Sequence, residues 1–323
     1  MKIFVTGGAG FIGSHLVEKL LDLGHKVAIY DNYLNFANNP KYYQFALKAR
    51  KRIFKNKPHE IYKADIREKN KLKRAFKEFQ PEIVIHLAGL PMARVSKNFA
   101  HLVVPINLHG TLNVLEAFGQ SASAKKIIYT SSSMSYGHFL EDPQKEESIL
   151  NPMNSYGAAK AAAEYFVKLS KKEWVIVRPI CVYGFTDCSN RVTQLLIDAA
   201  MSKKPAWIVK GERLDLTYVD DVVDGFIKCM LSPNAVRQTI NLSAGKAVPV
   251  SHYAELVKKV FPDFIYEIRE PGENQVNRGG LDITKAKKIL NYRPKSSIKK
   301  GFEKTIQLMR ENNWDELLYK KLI

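Results

Sequence analysis

Tyr156 and Lys160 stand four residues apart in Tyr156-Gly157-Ala158-Ala159-Lys160, so a helix through them carries a phenol and an ammonium on one face. An isolated phenol titrates near pH 10. A cation about 4 Å away in an effective dielectric of about 20 stabilises the phenolate by about 4 kcal/mol, roughly three pKa units. Such a pair is a general base suited to taking a hydroxyl proton near neutral pH. Upstream, Tyr129-Thr130-Ser131-Ser132-Ser133-Met134-Ser135-Tyr136-Gly137 sets hydroxyls just past the end of an apolar strand, where one can hydrogen-bond a reacting oxygen and steady developing charge.

A second constellation opens the chain, in Lys2-Ile3-Phe4-Val5-Thr6-Gly7-Gly8-Ala9-Gly10-Phe11-Ile12-Gly13. Gly8, Gly10 and Gly13 match the G-x-G-x-x-G spacing, which lets backbone turn tightly and approach a pyrophosphate. The helix starting near Phe11 presents unpartnered amide N–H groups and the positive end of its dipole to those phosphates. Gly7, Gly10, Phe11, Ile12 and Gly13 are the expected cradle. A second strand, Lys26-Val27-Ala28-Ile29-Tyr30, closes on Asp31, where a dinucleotide fold places the acid that binds the adenosine ribose hydroxyls. A carboxylate there repels a 2'-phosphate, and Asn32 follows in place of arginine, so the expected cofactor is NAD rather than NADP.

These groups need a scaffold, and strand and helix patterns alternate to supply one. Apolar strands at Glu82–His86, Lys126–Thr130 and Trp174–Arg178 are interleaved with helices at Lys71–Phe79, Leu102–Phe118 and Ser155–Leu169. Right-handed crossovers between such strands give an α/β, doubly wound parallel (Rossmann) sheet covered on both faces. The stretch from Asn35 to Lys57 reads as a basic insertion, helical from Tyr42 to Phe54. Residues 1–180 are expected to form the NAD-binding domain. Residues 181–323 form mainly a smaller C-terminal α/β substrate lobe, with room for segments that return to the first domain. Asp220 and Asp221 begin a helix there and read as caps.

Composition bounds the rest. The 323 residues are 46% hydrophobic and 25% charged, ordinary for a soluble protein large enough to bury a core. A net charge of +18 is unusual. Its lysines fall on mixed helical faces without an aromatic platform or nucleic-acid motif, so they read as solvated surface whose field draws anionic substrates rather than nucleic acid. Three cysteines without C-x-x-C spacing argue for a reducing, cytoplasmic setting and against structural zinc; His101 and His109 lack a third ligand, so no metal is expected. No apolar run reaches the roughly 20 residues of a membrane helix, and the N-terminus enters a strand at once, so no membrane partner or leader is expected.

The chain resembles the extended short-chain dehydrogenase/reductase family, in its nucleotide-sugar epimerase and dehydratase branch, from Met1 to about Gln307. Beyond Thr6–Ser14, Tyr156 and Lys160, the shared markers are Asp65-Ile66, His86-Leu87-Ala88-Gly89, Asn107 in Asn107-Leu108-His109-Gly110-Thr111, Arg178-Pro179, Tyr183-Gly184, Tyr218-Val219-Asp220-Asp221 and Asp282-Ile283-Thr284-Lys285-Ala286. The resemblance implies that Asp65 and Ile66 meet the adenine, and that Leu87, Ala88, Gly89, Asn107 and Pro179 line the cofactor. It also puts the catalytic hydroxyl on Ser132 and implies a homodimer through the helices at Leu102–Phe118 and Ser155–Leu169.

Within that branch, 4,6-dehydratases carry an acid pair where this chain has Ser133 and Met134, and sugar-acid decarboxylases usually carry Glu at the latter. A C4 epimerase of a nucleoside-diphosphate hexose, most naturally a UDP-sugar, needs only Ser132, Tyr156, Lys160 and NAD. A 4-dehydrogenase, a 4-keto reductase or a dehydratase of the same family with net cofactor turnover is the alternative, and a non-catalytic NAD-binding protein a further one. Two positions depart from the epimerase pattern. Cys181 stands where an Asn usually contacts the nucleotide sugar, and Leu214 where an Arg usually holds the diphosphate; Arg213, Arg278 and Arg94 are the expected replacements.

Overall fold

The computed structural model describes residues 1–36, 40–57, 59–91, 100–272 and 278–314. Among the described residues, thirteen strands appear in chain order. Those of the main sheet are β1 (Lys2–Thr6), β2 (Lys26–Asp31), β3 (Glu60–Lys63), β4 (Ile83–His86), β5 (Lys126–Thr130) and β6 (Glu173–Pro179), joined later by β11 (Gln238–Leu242). The lobe holds β7 (Val182–Tyr183), β8 (Ala206–Val209), β9 (Arg213–Leu214), β10 (Thr217–Tyr218), β12 (Val248–Pro249) and β13 (Tyr266–Arg269), in three two-stranded sheets.

The seven-stranded sheet is parallel throughout, in the order β11-β6-β5-β4-β1-β2-β3. Because strand side chains alternate between faces, Ile3 and Val5 enter one apolar core with Val27, Ile29 and Ile85, while Phe4 enters the other with Tyr30, Val84 and Ile127. A sheet buried on both faces explains why its strands read as apolar runs. Strand order reverses between β1 and β4, which opens a crevice beyond their carboxyl ends.

The glycine-loop helix Phe11–Asp22 buries Leu16, Val17 and Leu20, and the chain reverses through Gly24 at φ +76°. The insertion forms the helix Pro40–Phe54, whose buried Ala46 and Arg50 face inward. The helix expected at Leu102–Phe118 is interrupted: Ala100–Val103 runs into a π-helical turn, Val104–Gly110, before Thr111–Gln120. Pro105 supplies the reason, since it lacks an N–H and its ring clashes with the carbonyl four residues back, widening the turn.

The second half of the chain does not stay in its lobe. Helix Val219–Leu231 packs on the glycine-loop helix and β11 extends the main sheet beside β6. Asp220 and Asp221 do not cap that helix. Asp221 instead accepts from the backbone N–H groups of Lys295 (2.8 Å) and Ser296 (3.0 Å), and Asp220 pairs with Lys304 at 2.6 Å, so both tie down the C-terminal helix Ile298–Glu311. Trp314, fully buried, packs on Tyr42, Phe45 and Phe185. Among the described residues, no helix is long and apolar enough to cross a membrane.

Candidate active site

A cleft of about 1260 Å³ lies beyond the carboxyl ends of the sheet, under the lobe. Gly7, Gly10, Phe11, Ile12 and Gly13 form its floor, whereas Gly8 packs away from it toward Ile29. Gly7 adopts φ +72°, and a Cβ there would sit 2.6 Å from the Ala88 nitrogen. A Cβ on Gly13 would overlap the Gly7 carbonyl oxygen. The glycines that the turn needs are therefore Gly7 and Gly13, one frame away from the Gly8 start of the spacing match. No side chain caps the following helix, whose N-cap is Gly10, so its first amides face the cleft.

Asp31 ends β2 and staples this turn, accepting from the backbone N–H of Ala9 (3.0 Å) and of Tyr33 (2.8 Å). Burial pushes its carboxyl up, and those two bonds and the Arg50 charge pull the other way. Asn32 donates to Asp65 at 2.6 Å. Asp65 also takes a bidentate pair from Arg67 (2.9 and 2.8 Å); although burial opposes it, these bonds hold its carboxyl below the usual range. Ile66 lines the cleft and fills the space beside Gly110.

Behind Leu87, Ala88 and Gly89, which line the cleft, runs a closed polar chain. The Ala88 N–H donates to Thr6 Oγ1 (3.3 Å), which meets His86 Nδ1 at 2.6 Å. His86 Nε2 meets Thr111 Oγ1 at 2.9 Å, and that hydroxyl donates to the Asn107 carbonyl at 2.8 Å. Since Thr111 spends its proton on Asn107, His86 donates through Nε2 and accepts through Nδ1. Burial and the nearby Lys160 push the imidazole down to about 3, so it stays neutral. Asn107 does not line the cleft: its side chain clamps Leu90, accepting from its N–H (2.7 Å) and donating to its carbonyl (3.2 Å).

Ser132, Tyr156 and Lys160 all line the cleft. Ser132 follows β5 and caps a short turn, its Oγ accepting from the Met134 N–H at 3.2 Å. Tyr156 sits in the first turn of helix Ser155–Lys168, which Asn154 caps through the Gly157 N–H at 2.9 Å. Lys160 is buried, donates to the Thr130 carbonyl at 2.7 Å and lies over the Tyr129 ring. Burial brings its ammonium down to about 8, with Glu164 pulling upward.

Beneath them lies a buried ionic layer. Arg178 grips Glu164 (2.9 and 2.6 Å) and donates to Tyr136 Oη at 2.8 Å and the Glu146 carbonyl at 2.9 Å; Glu164 also accepts from Ser131. Tyr136 in turn donates to Asn241 at 2.9 Å. This layer joins the serine turn, the tyrosine helix and β11.

Three of the residues expected toward substrate meet at one point. Arg278 directs Nη1 at Met134 Sδ (3.6 Å) and Cys181 Sγ (4.0 Å), and its buried Nε has no hydrogen-bond partner among the described residues. Burial raises the Cys181 thiol, against the pull of Arg278 and Arg191, so it is no activated nucleophile. Ser133 and Pro179 line the same cleft. Arg213 does not: it is half exposed in a neighbouring groove, donating to the Ala247 carbonyl at 3.2 Å and pairing loosely with Asp142. Arg94 lies outside the described residues. Sequence reasoning missed Arg191 and Arg50, which line the cleft from distant segments, and Gly157, whose added Cβ would overlap the Met134 carbonyl. Only the Tyr156-Gly157 dipeptide carried a local signal. Among the described residues, no group of three His, Cys, Asp or Glu side chains is placed to hold a metal ion.

Residues 3–245 match the NAD dependent epimerase/dehydratase family. The chain is 31% identical over 325 residues to a putative UDP-glucose 4-epimerase of Methanocaldococcus jannaschii, covering 96% of this chain and 99% of the relative. It is 30% identical over 329 residues to dTDP-D-glucose 4,6-dehydratase of Homo sapiens, covering 97% and 91% respectively. Among solved structures it resembles UDP-glucose 4-epimerase with UDP-glucose from Thermotoga maritima, with a TM-score of 0.84 at 27% identity over 97% of this chain and 100% of that one.

Proposed function

Since the chain belongs to the NAD-dependent epimerase/dehydratase family, we propose that it inverts C4 of a nucleoside-diphosphate hexose, a UDP-sugar, through a transient 4-keto sugar. What supports this reading is that Ser132, Tyr156 and Lys160 line one cleft together with Ser133 and Met134, the positions where the resemblance puts the acid and base of a dehydratase.

The residues present fit NAD. Gly7 and Gly13 stand where a Cβ would collide with backbone, and the uncapped helix end behind Gly10 suits a pyrophosphate. Gly7, Gly10, Phe11, Ile12 and Gly13 would hold the phosphates. Asp31, which among the described residues accepts one backbone N–H on each oxygen, keeps lone pairs for ribose hydroxyls. Asn32, Asp65 and Ile66 flank the adenine end, and Leu87, Ala88, Gly89 and Pro179 the rest, with Asn107 fixing the loop from behind. Bound there, NAD would supply the hydride chemistry at the sugar C4, and these residues would hold and orient it.

The chain's own residues handle the proton. Tyr156 takes it from the 4-hydroxyl with Ser132 hydrogen-bonded to the same oxygen, and hands it back at the end. Lys160 favours the phenolate by its charge, and its anchor on the Thr130 carbonyl fixes where that charge sits. Arg278 would receive the diphosphate, its planar fork suiting phosphate oxygens, while Met134 and Cys181 wall the sugar. We place the enzyme in the cytoplasm as a homodimer; the exposed Tyr165 and Phe166 on the tyrosine helix, with Leu169 just past its end, support the dimer.

The test is to purify the protein, measure bound NAD, and incubate it with UDP-, GDP-, CDP- and dTDP-sugars while following isomers by NMR and NADH by absorbance. Interconversion of C4 epimers without net NADH is expected. Stoichiometric NADH would make it a 4-dehydrogenase or reductase instead.

A further inference from the structure

Between Cys181 and Arg191 the backbone takes positive φ at three residues that carry side chains: +40° at Cys181, +73° at Thr186 and +55° at Asn190. Such conformations disfavour a Cβ, most of all a β-branched one, and persist only where the surroundings over-determine them. Here the surroundings come from the other half of the molecule. Side chains from the Rossmann side capture three consecutive carbonyls. His15 Nε2 meets Phe185 O at 3.0 Å, Arg50 Nη2 donates to Thr186 O at 2.7 Å, and Tyr42 Oη reaches Asp187 O at 3.4 Å. Tyr42 and Arg50 both belong to the inserted helix Pro40–Phe54.

Arg50 is the central member. It is 1% exposed, and the same Nη2 donates to Cys188 Sγ at 3.0 Å. On the far side of the held peptide, the Asp187 carboxylate takes Arg191 Nη1 (2.9 and 3.0 Å) and the Ser189 N–H (3.0 Å). The bonds thus run from the inserted helix through residues 186–188 to Arg191, which lines the cleft with Cys181. Resting on the functional reading above, we propose that Arg50 is a positioning residue for the nucleotide sugar: it locks the 181–191 loop in the strained form that holds Cys181 and Arg191 against the lobe side of the cleft. The basic insertion, otherwise a surface feature, is then a clasp between the cofactor domain and the substrate wall.

The experiment uses the full chain with Arg50→Met and Arg50→Lys. For Arg50→Met, the KM for UDP-glucose should rise by about tenfold or more with kcat changed by less than about threefold, as for a lost charge-assisted hydrogen bond, and bound NAD should be unchanged. Arg50→Lys should recover most of the KM, because a single nitrogen makes both contacts. A second readout needs no turnover. Cys188 and Cys229 are both fully buried, one on the held loop and one on helix Val219–Leu231. In Arg50→Met, iodoacetamide should label Cys188 at least roughly tenfold faster while Cys229 stays protected, the pattern of a local opening. Unchanged Cys188 labelling overturns the proposal. So does equal acceleration at both cysteines, which would make Arg50 a general stability residue, and so does loss of NAD at constant KM, which would make it a cofactor residue. If the wild-type chain epimerises no nucleotide sugar, the functional reading fails while the thiol readout still decides the lock.

Discussion

The two walls of the cleft are built by different means. On the sheet side the working groups are backbone amides and short side chains fixed by strand register: Asp31 holds Ala9 across the neighbouring strand, and Thr6, His86 and Thr111 close a chain of hydrogen bonds behind the loop. On the lobe side the groups are long side chains brought from afar. Arg278 meets Met134 across 144 residues and Cys181 across 97. The first wall has little freedom, since a single Cβ at Gly7 or Gly13 would collide with backbone. The second can change its chemistry by swapping tips, and Cys181 and Leu214, where the resemblance leads one to expect Asn and Arg, both line the cleft on that side. Two kinds of wall thus face one cavity, joined where His15, Tyr42 and Arg50 of the first half hold the carbonyls of residues 185–187.

The largest effect should come from the group that takes the substrate's proton. Tyr156→Phe removes the phenolic oxygen and nothing else, so kcat should fall by about 10³-fold while bound NAD stays at the wild-type level. Initial rates and the NAD released on denaturation check it. A variant within tenfold of wild type would remove Tyr156 from the mechanism.

The contrast between the walls also explains what could be read from the chain beforehand. The parallel sheet, the glycine turn, the place of Asp31 at the end of β2 and that of Tyr156 and Lys160 on one helix were legible because each depends on periodicity or on spacing within one element, whereas only the resemblance singled out Ser132 among its neighbouring hydroxyls. Even there, the needed turn glycine proved to be Gly7 rather than Gly8, since both frames look alike until φ is known. The π-helical turn at Val104–Gly110 was hidden for a related reason: Pro105 warned of a break without saying that the chain would widen and carry on. Arg191 on the lobe side and Arg50 on the inserted helix were invisible because nothing local to either residue records which carbonyl or carboxylate it will meet. Arg213 looked as good as Arg278, and only the packing of Asp142 and Ala247 separates them.

Gly157→Ala probes where the two walls touch. An added methyl would overlap the Met134 carbonyl and come within 3.1 Å of the Pro152 Cβ, pushing the tyrosine helix off the turn that carries Ser132 and Met134. A displacement near 1 Å at reacting groups costs about 10²-fold in rate, so kcat should fall by that order while the cofactor, held by a different part of the wall, remains bound. Loss of NAD together with rate would mean that the walls are not independent. Arg278→Ala comes next and sharpens the contrast from the lobe side. Losing a charge-assisted contact to a diphosphate should raise KM by about 10- to 100-fold, with kcat and NAD content little changed. Titration of UDP into the apo-substrate enzyme by calorimetry should show the same loss, and an unaltered affinity would move the diphosphate elsewhere.

The smallest effect is a pH dependence, and its sign separates function from stability at a single residue. Burial lowers Lys160 to about 8, against an ordinary value of 10.5, with Glu164 pulling it partly back. Its charge, which favours the Tyr156 phenolate, is therefore present below pH 8 and lost above it, so kcat/KM should turn down on the alkaline side near pH 8, by less than about tenfold per pH unit. Stability runs the other way. With the folded pKa below the unfolded one, the unfolded chain binds more protons between pH 8 and 10.5. The penalty for burying the ammonium is full below pH 8 and is relieved as pH rises through that window. Activity and the Lys160 contribution to unfolding free energy should thus move in opposite directions above pH 8. The second is read as the wild-type minus Lys160→Met difference in urea unfolding at several pH values. A rate profile flat to pH 10, or a stability difference that does not change across the window, would show that this ammonium is as well solvated as a surface lysine, which its burial over the Tyr129 ring does not allow.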